Sequence, residues 1–334
     1  MKTIKYLPML VFFCVMLFSA PVSGCKDRQS SGLQNNVTPV TLCQGGMLTI
    51  LPLIARQQGF DAKEGLAITL INKKDGKLSM EALVAGECDF SSTSEPPIVS
   101  RSFEYDDFVI LASLASSENA TKIIARRDRG IRTAADLKGQ IVGVRKNTIS
   151  HFFFDMFLRK NGLAAREVKM RFIEPLNMPE ALARGEIEAY SGSDASILSG
   201  KKLLGRNAVI LSEPGLCYNA NYLLGMKTYV DGNPDIVRRL LAALLRAERF
   251  TIENPAKVAA LVIKAANGNQ AELESILKDS RFAVSLPQAA LIALGDHARW
   301  TIEIRQTSRT SIPNYLTFIR REFLQSLKPD AVTM

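Results

Sequence analysis

Histidine and cysteine, the usual ligands of zinc in proteins, are scarce in this sequence. The chain has two histidines and five cysteines among 334 residues. His151 and His297 lie far apart along the chain and lack neighbouring ligand residues, so we do not expect a zinc site. We predict neither a metal nor any other cofactor.

Motifs of the common enzyme classes are also missing. The chain contains no G-x-S-x-G, no H-E-x-x-H and no complete phosphate-binding loop. No nucleophile, base and orienting residue can be grouped from the sequence, so we predict a protein that is not an enzyme. The formal net charge is +9, but no run of five or six basic residues occurs, which argues against nucleic-acid binding.

A long apolar run occurs only near the N-terminus. Residues 6–18 are almost entirely apolar, follow Lys2 and Lys5, and lead to Val22-Ser23-Gly24-Cys25. The run is shorter than a membrane-spanning helix needs, and small residues after it are typical of a cleavage site. The segment resembles a bacterial lipoprotein signal. The resemblance implies cleavage before Cys25 and lipid on Cys25.

Lipid on Cys25 would anchor the protein to a membrane of the bacterial cell envelope, facing the periplasm or the exterior. The alternative is an uncleaved membrane anchor, and the membrane that carries the lipid stays open. Three other cysteines would remain after cleavage: Cys43, Cys88 and Cys217. They allow at most one disulfide bond, and we interpret them as small buried apolar residues, although any two of them could pair.

The rest of the chain changes character twice. Residues 25–39 are polar and predict a flexible tether. From Val40 to Leu211, short apolar runs such as 141–144 alternate with amphipathic segments, which is typical of parallel α/β sheets. From Pro234 onward, apolar residues recur at helical spacing and predict a mostly helical C-terminal part.

Four predicted strand-to-helix turns are rich in small hydroxyl and amide side chains. Ligands bind at the carboxyl edge of parallel sheets, and a helix start there offers free N–H groups and partial positive charge. We therefore predict an anion-binding cleft. The candidate ligand residues are Gln44, Gly45, Ser92, Thr93, Ser94, Glu95, Thr148, Ser150, His151, Ser193 and Asp194.

Each of these turns also has a purely structural alternative. A serine or threonine in such a turn can simply cap its helix. His151 can pack on its own turn instead of donating to a ligand. Arg145 and Lys146 can steer anions, or they can be solvated charges at a strand end.

The order of several short runs resembles a known family. QGFDAKEGL and TAADLKGQIVGV, for example, are similar to family runs of the types Q-G-x-x-x-K-E-G and D-L-K-G-K-x-V-G. The matching runs are Gln58–Leu66, Glu81–Phe90, Thr133–Val144, Ala181–Ala189, Ile312–Tyr315 and Lys328–Val332. They resemble substrate-binding proteins of bacterial ABC importers for aliphatic sulfonates, taurine, nitrate and thiamine-pyrimidine precursors.

The resemblance implies an α/β protein with the type II periplasmic-binding-protein fold, in which two α/β lobes are joined by two hinge crossings. After a signal peptide (1–24) and the tether (25–39), lobe 1 is expected over 40–121 plus 217–334, with a helical C-terminal part. Lobe 2 is expected over 122–216.

The resemblance also implies a monomeric receptor that captures a small anionic or zwitterionic organic compound and delivers it to an ABC permease. The alternatives are an enzyme of the thiamine-pyrimidine-synthase type on the same fold, and a ligand sensor for a membrane kinase.

One strand end departs from the family pattern. Sulfonate-binding members often have a W-hydrophobic-hydrophobic-W-D-P run where this chain has Tyr190-Ser191-Gly192-Ser193-Asp194-Ala195. The identity of the ligand therefore cannot be carried over. Glu95 and Asp194 would bring carboxylates from opposite lobes to the cleft, which favours a ligand with an amine as well as an acid. The alternative is that both carboxylates bond within their own turns.

Overall fold

The computed structural model describes residues 37–45, 49–266 and 270–334. The predicted signal peptide, Cys25 and most of the predicted tether lie outside the described residues, as do residues 46–48. Within these described ranges, none of the helices combines the length and the apolar character that crossing a membrane requires.

Strands and helices alternate along much of the described chain. The strands are β1 Thr38–Gly45, β2 Leu66–Lys73, β3 Phe90–Thr93, β4 Phe108–Ser117, β5 Thr121–Arg126, β6 Ile141–Val144, β7 Lys169–Phe172, β8 Ala189–Ser193, β9 Ala208–Leu211, β10 Asn219–Met226 and β11 Arg281–Ser285. The α-helices are α1 Ile50–Gln57, α2 Phe60–Lys63, α3 Gly76–Val84, α4 Glu95–Ser102, α5 Ile149–Lys160, α6 Met178–Ala183, α7 Asp194–Leu204, α8 Lys227–Gly232, α9 Pro234–Glu253, α10 Pro255–Ala266, α11 Gln270–Asp279, α12 Gln288–Glu303 and α13 Arg321–Leu327.

The strands form two sheets. A six-stranded sheet has the order β11-β4-β10-β3-β1-β2, and a five-stranded sheet has the order β7-β6-β8-β5-β9. We call the part built on the six-stranded sheet lobe 1 and the part built on the five-stranded sheet lobe 2. The chain passes from lobe 1 to lobe 2 between β4 and β5, and it returns between β9 and β10.

Both sheets are mixed, whereas the sequence pattern predicts parallel sheets. β10 runs antiparallel to β3 and β4, and β5 runs antiparallel to β8 and β9. These are the strands that follow the two crossings, so the chain enters each sheet in the reverse direction. β1, β2 and β3 are mutually parallel, as are β6, β7 and β8. Their carboxyl ends therefore still meet at one edge of each lobe.

Each lobe has its own apolar core. In lobe 1, the C-terminal helices complete the core of the sheet, and α9 buries Leu240, Leu241 and Leu244. In lobe 2, Phe154 and Phe157 of α5 pack against the strands. Burying a side chain of this size contributes about 1.5–3 kcal/mol. The two cores thus hold in place the sheet edges at which the carboxyl ends of the parallel strands meet.

Cys43 and Cys88 are joined by a disulfide bond, with their Cα atoms 5.9 Å apart. Their interpretation as merely small buried apolar residues is therefore wrong. The bond forms because Cys43 lies on β1, Cys88 lies two residues before the start of β3, and these two strands are paired neighbours. Cys217 is free, and burial raises the pKa of its thiol to about 12.

The disulfide generates a prediction about stability. It closes a loop with a sequence separation of 45 residues, for which the chain-entropy relation gives about 4 kcal/mol. We expect the double variant Cys43→Ser/Cys88→Ser to lose about 3–4 kcal/mol of unfolding free energy in urea titrations. The variant Cys217→Ser serves as the control and should match the wild type. Equal stability of the double variant and the wild type would contradict the bond.

Candidate functional site

A cavity of about 990 Å³ lies between the two lobes. Its lobe 1 wall comes from α3, from α4 and from the residues that follow α4, and it includes Asp75, Ser94 and Pro96. Its lobe 2 wall comes from the turn between β6 and α5 and from the end of β7, and includes Arg145 and Thr148. Two of the predicted ligand residues, Ser94 and Thr148, therefore line the cavity.

Close backbone approaches fix the lobe 1 wall. A Cβ atom on Gly45 would lie 2.2 Å from the Asp75 carbonyl oxygen, and one on Gly76 would lie 2.3 Å from Thr93 Oγ1. The Thr93 hydroxyl donates to the Gly76 carbonyl oxygen over 2.8 Å. Only glycine allows such close contacts, so the segments that follow β1, β2 and β3 pack tightly against one another. Gly45 and Thr93 contribute to this packing but do not line the cavity.

Two other predicted residues of lobe 1 are engaged within the protein. The Ser92 hydroxyl is buried 3.1 Å from the Thr49 hydroxyl. The Gln44 Nε2 donates to Asn72 Oδ1 over 2.6 Å, and its Oε1 is buried without a hydrogen-bond partner among the described residues. Neither residue lines the cavity.

Glu95 turns into lobe 1 and away from the cavity. Its Oε1 accepts the Ala220 N–H at 2.8 Å and the Tyr222 hydroxyl at 2.9 Å. Burial raises the pKa of this carboxyl to about 7, although these hydrogen bonds act in the opposite direction. Pro96 and Pro97 follow and have no N–H groups, so the start of α4 offers few donors to an anion.

Asp194 also has a partner within the protein. Its carboxylate pairs with the ammonium group of Lys122, which lies 3.1 Å from the Asp279 carboxylate as well. Ser193 precedes α7 and is exposed, outside the cavity lining. Both carboxylates that motivate an amine-bearing ligand, Glu95 and Asp194, thus have partners within the protein. Glu95 Oε2 is nevertheless buried without a hydrogen-bond partner among the described residues.

The start of α5 differs from the starts of α4 and α7. Like α4 and α7 it has no side-chain cap, but unlike them it has no acidic residue in its first turn. The Thr148 hydroxyl donates to the Arg145 carbonyl oxygen over 2.7 Å and lies 2.9 Å from the Ser150 hydroxyl. The Ser191 hydroxyl of β8 donates to the Ser150 carbonyl oxygen over 2.9 Å and fixes this turn to the sheet. The first N–H groups of a helix have no acceptor within it, so this wall can bind an anion.

His151 lies behind this turn. Its Nδ1 accepts the Asn147 N–H at 3.3 Å, and its ring contacts Phe172 and Trp300 edge-on at centroid distances of 5.6 and 5.0 Å. The ring of His297 also contacts Trp300, at 5.1 Å. The two histidines are therefore distant only in the sequence. Burial lowers the pKa of both, that of His297 to about 3.

The two cations that follow β6 have different surroundings. Arg145 Nη2 lies 2.9 Å from Asp75 of lobe 1, and its Nε lies 3.9 Å from Glu174. The Lys146 ammonium lies 5.5 Å from the centroid of the Phe172 ring and has no carboxylate partner among the described residues. Lys146 is thus a cation beside the start of α5 whose charge the described chain leaves unpaired.

Most residues that line the cavity are not among the predicted ligand residues, and Asp75 and Phe172 show two different reasons for this. Asp75 lies two residues after the end of β2 at the same sheet edge, so the rule applied to the other turns could have found it. Phe172 lines the cavity and is 52% exposed. An apolar residue at a strand end is expected to be buried, so the sequence carries no signal for its exposure.

Comparison with known proteins finds relatives over much of the chain. A protein of Escherichia coli (strain K12) whose name describes it as an aliphatic sulfonates-binding protein is 25% identical over 193 residues. The match spans 57% of this chain and 59% of that protein, which is less than two thirds of its length.

Two solved structures share the fold. The periplasmic aliphatic sulphonate binding protein SsuA from Escherichia coli superposes with a TM-score of 0.72 at 19% identity, covering 84% of this chain and 97% of that one. The periplasmic nitrate-binding protein NrtA from Synechocystis PCC 6803 gives 0.67 at 14% identity, covering 88% and 89%. These likenesses confirm the predicted periplasmic-binding-protein fold with two α/β lobes.

The family model described as NMT1/THI5 like matches residues 49–258. This range includes both strand-to-helix turns that supply Ser94 and Thr148 to the cavity. Because the matched range is more than half of the sequence, the chain belongs to the NMT1/THI5-like family.

Proposed function

We propose that the protein is a non-catalytic receptor that binds a small organic anion between its lobes and delivers it to an ABC permease. The observation that carries the proposal is the start of α5 on the cavity wall. It has no side-chain cap and no acid in its first turn, and unpaired Lys146 lies beside it. Relatives named for binding sulfonates and nitrate support an anionic ligand.

The start of α5 would bind the acidic group of the ligand. Its N–H groups point out of the helix and carry the positive end of the helix dipole. A hydrogen bond to a charged group contributes about 1.5–3 kcal/mol. Lys146 adds a full positive charge at the same wall, which favours an anion over a neutral or cationic compound.

The opposite wall suits an apolar part of the ligand. Pro96 and Pro97 lack N–H groups and line the cavity together with Tyr105, which is 56% exposed. The volume of about 990 Å³ is at the upper end of the usual range for sites of small organic molecules. These features favour an organic anion with an apolar portion over a small inorganic ion.

The cavity gives little support to catalysis. Among the described residues that line it there is no histidine and no cysteine. His151 is buried behind the wall with its Nδ1 already bonded. A receptor role fits these surroundings better than acid–base or nucleophilic chemistry.

The ligand proposal is tested by a binding screen. We expect alkylsulfonates to raise the melting temperature, because a ligand at 100 times its Kd adds about 2.7 kcal/mol to stability. Taurine, nitrate and aminopyrimidines complete the panel. Recovery of a chemically altered compound would contradict the non-catalytic role. A rise in melting temperature with aminopyrimidines alone would contradict the proposed anionic ligand.

Lys146→Gln should weaken binding of the best anion about tenfold, or ~1.4 kcal/mol, in titration calorimetry. Lys169→Gln is the matched control, since Lys169 is an exposed cation of lobe 2 on β7, outside the cavity lining. Equal affinities of the two variants would remove Lys146 from the site.

The Asp75–Arg145 ion pair joins the lobes across the cavity. Asp75 also accepts the Leu78 N–H at 3.0 Å, which caps α3. Burial alone would raise the pKa of Asp75, but the Leu78 N–H and Arg145 outweigh it, so the pKa lies below its usual value. The contribution of this carboxylate is present at neutral pH and is lost as the pH falls through that lowered pKa.

Asp75→Asn should therefore favour the open form while keeping the α3 cap, because an asparagine oxygen can accept the same N–H. We expect a larger radius of gyration in X-ray scattering without ligand and a two- to fivefold loss of ligand affinity, since a partly exposed pair contributes up to about 1 kcal/mol. Asp136→Asn is the control, because Asp136 accepts the N–H groups of Arg132 and Thr133 within one turn. An unchanged radius for Asp75→Asn would show that the pair does not hold the lobes.

The lipid anchor is proposed from Val22-Ser23-Gly24-Cys25, which lie outside the described residues. We expect the wild-type protein to fractionate with membranes and to incorporate labelled fatty acid. Cys25→Ser should be released or remain unprocessed, while Cys217→Ser should behave like the wild type. An acylated Cys25→Ser protein of mature size in the membrane fraction would contradict the assignment.

A further inference from the structure

We propose that His151 is a positioning residue for the turn between β6 and α5, which we call the Asn147 turn. Its uncharged ring holds this turn in place, so no negative charge at position 151 opposes an anion at the start of α5. The inference rests on the proposed function for its ligand and on the geometry of the turn for its mechanism. His151 touches the turn from behind and does not line the cavity.

The Asn147 turn has a support outside its own backbone. Asn147 has a φ of 60°, in the left-handed region, which asparagine adopts more readily than most non-glycine residues. Its N–H donates to His151 Nδ1, at the third position of α5, over 3.3 Å. This bond fixes the residue that immediately precedes Thr148, the residue at the N-cap.

The third position of a helix can support the chain before the helix with an acid or its amide. In the capping box, a glutamate or glutamine there accepts the N–H of the N-cap residue, whereas His151 accepts the N–H one position earlier, from Asn147. A glutamate would also place a negative charge at the anion-binding end of α5. His151 accepts the N–H without that charge, and the first turn of α5 contains no acid. α4 and α7, in contrast, begin with Glu95 and Asp194.

The surroundings of His151 keep its ring in place and neutral. The ring is 5% exposed and lies against Trp300 and Phe172. The charged or titratable groups that face it are Asp155 on α5, Lys146 on the turn and His297 on α12. Burial lowers the pKa of His151, Lys146 adds to this effect and Asp155 opposes it.

Protonation would reverse the role of Nδ1. The neutral ring carries its proton on Nε2, as the bond to the Asn147 N–H requires. A protonated ring has an N–H at both nitrogens and can no longer accept. The support is therefore present above the lowered pKa of His151 and is lost as the pH falls below it.

Two variants separate positioning from packing. His151→Phe keeps a ring and removes the acceptor, whereas His151→Asn keeps an acceptor near Nδ1 and removes the ring. With 1-propanesulfonate as the probe, we expect His151→Phe to lose at least tenfold in affinity and His151→Asn to stay within threefold. A residue that only packs would show the reverse order, and that result would overturn the proposal.

The pH profile gives a second readout. Because the pKa of His151 lies below the ordinary histidine value of about 6.5, wild-type affinity should stay constant down to that pH and fall only on further acidification, and the affinity of His151→Asn should not fall. His297→Phe is the control, because His297 contacts Trp300 but makes no bond to the turn. It should keep the wild-type affinity and pH profile. A wild-type profile that coincides with the profile of His151→Asn would overturn the proposal.

A measurement without ligand separates this inference from the proposed function. If the wild-type protein does not bind 1-propanesulfonate, the proposed ligand class fails. Amide hydrogen exchange at Asn147 still decides the role of His151. Protection should be lost in His151→Phe and retained in His151→Asn, and equal protection in both variants would overturn the positioning role.

Discussion

The hydrogen bond from the Trp300 indole to the Asp155 carboxylate connects the lobes behind the cavity. It is 2.7 Å long, both residues are buried, and it joins α12 of lobe 1 to α5 of lobe 2. A hydrogen bond to a charged group contributes about 1.5–3 kcal/mol, and losing either partner leaves a buried polar group unsatisfied. The Trp300 ring also supports His151. The position of the turn at the start of α5 thus depends on a residue far away in the sequence.

The placement of acids explains why one helix start is suited to an anion. α4 begins with Glu95, whose pKa burial raises to about 7, so this group is partly neutral at neutral pH. α7 begins with Asp194, which Lys122 neutralises. Only α5, among these three helices of the cavity-side edges, has no acid in its first turn. The same sheet topology therefore produces three similar turns with different electrostatic properties.

Hydrophobic patterning predicts much of the fold, because burial in a sheet or helix face imposes local periodicity. The strands at 141–144 and 208–211 and the two-lobe fold follow from such patterns and from family resemblance. β10 and β11 were not predicted, because Asn, Gly, Arg and Ser dilute their apolar pattern. The site was predicted at the level of turns, since sheet edges are set by topology. The sequence does not predict the direction in which each hydroxyl or carboxylate points. Ser92, Thr93 and Glu95 bond to residues that are distant in the sequence, and only the folded chain brings them together.

Two of the links between the lobes differ in burial, and this difference determines which of the two yields first. The Asp75–Arg145 pair at the cavity has side chains that are 22% and 31% exposed, and water can replace either partner. Such a pair contributes about 0–1 kcal/mol. Trp300 and Asp155 are nearly inaccessible to water, so separating them exposes a charge and an indole that water cannot reach beforehand. Separation of the lobes therefore costs less at the cavity than behind it. An anion bound at the start of α5 would lie on the cavity side, where the lobes separate at lower cost. Its contacts with both walls would add to the weak Asp75–Arg145 pair on that side.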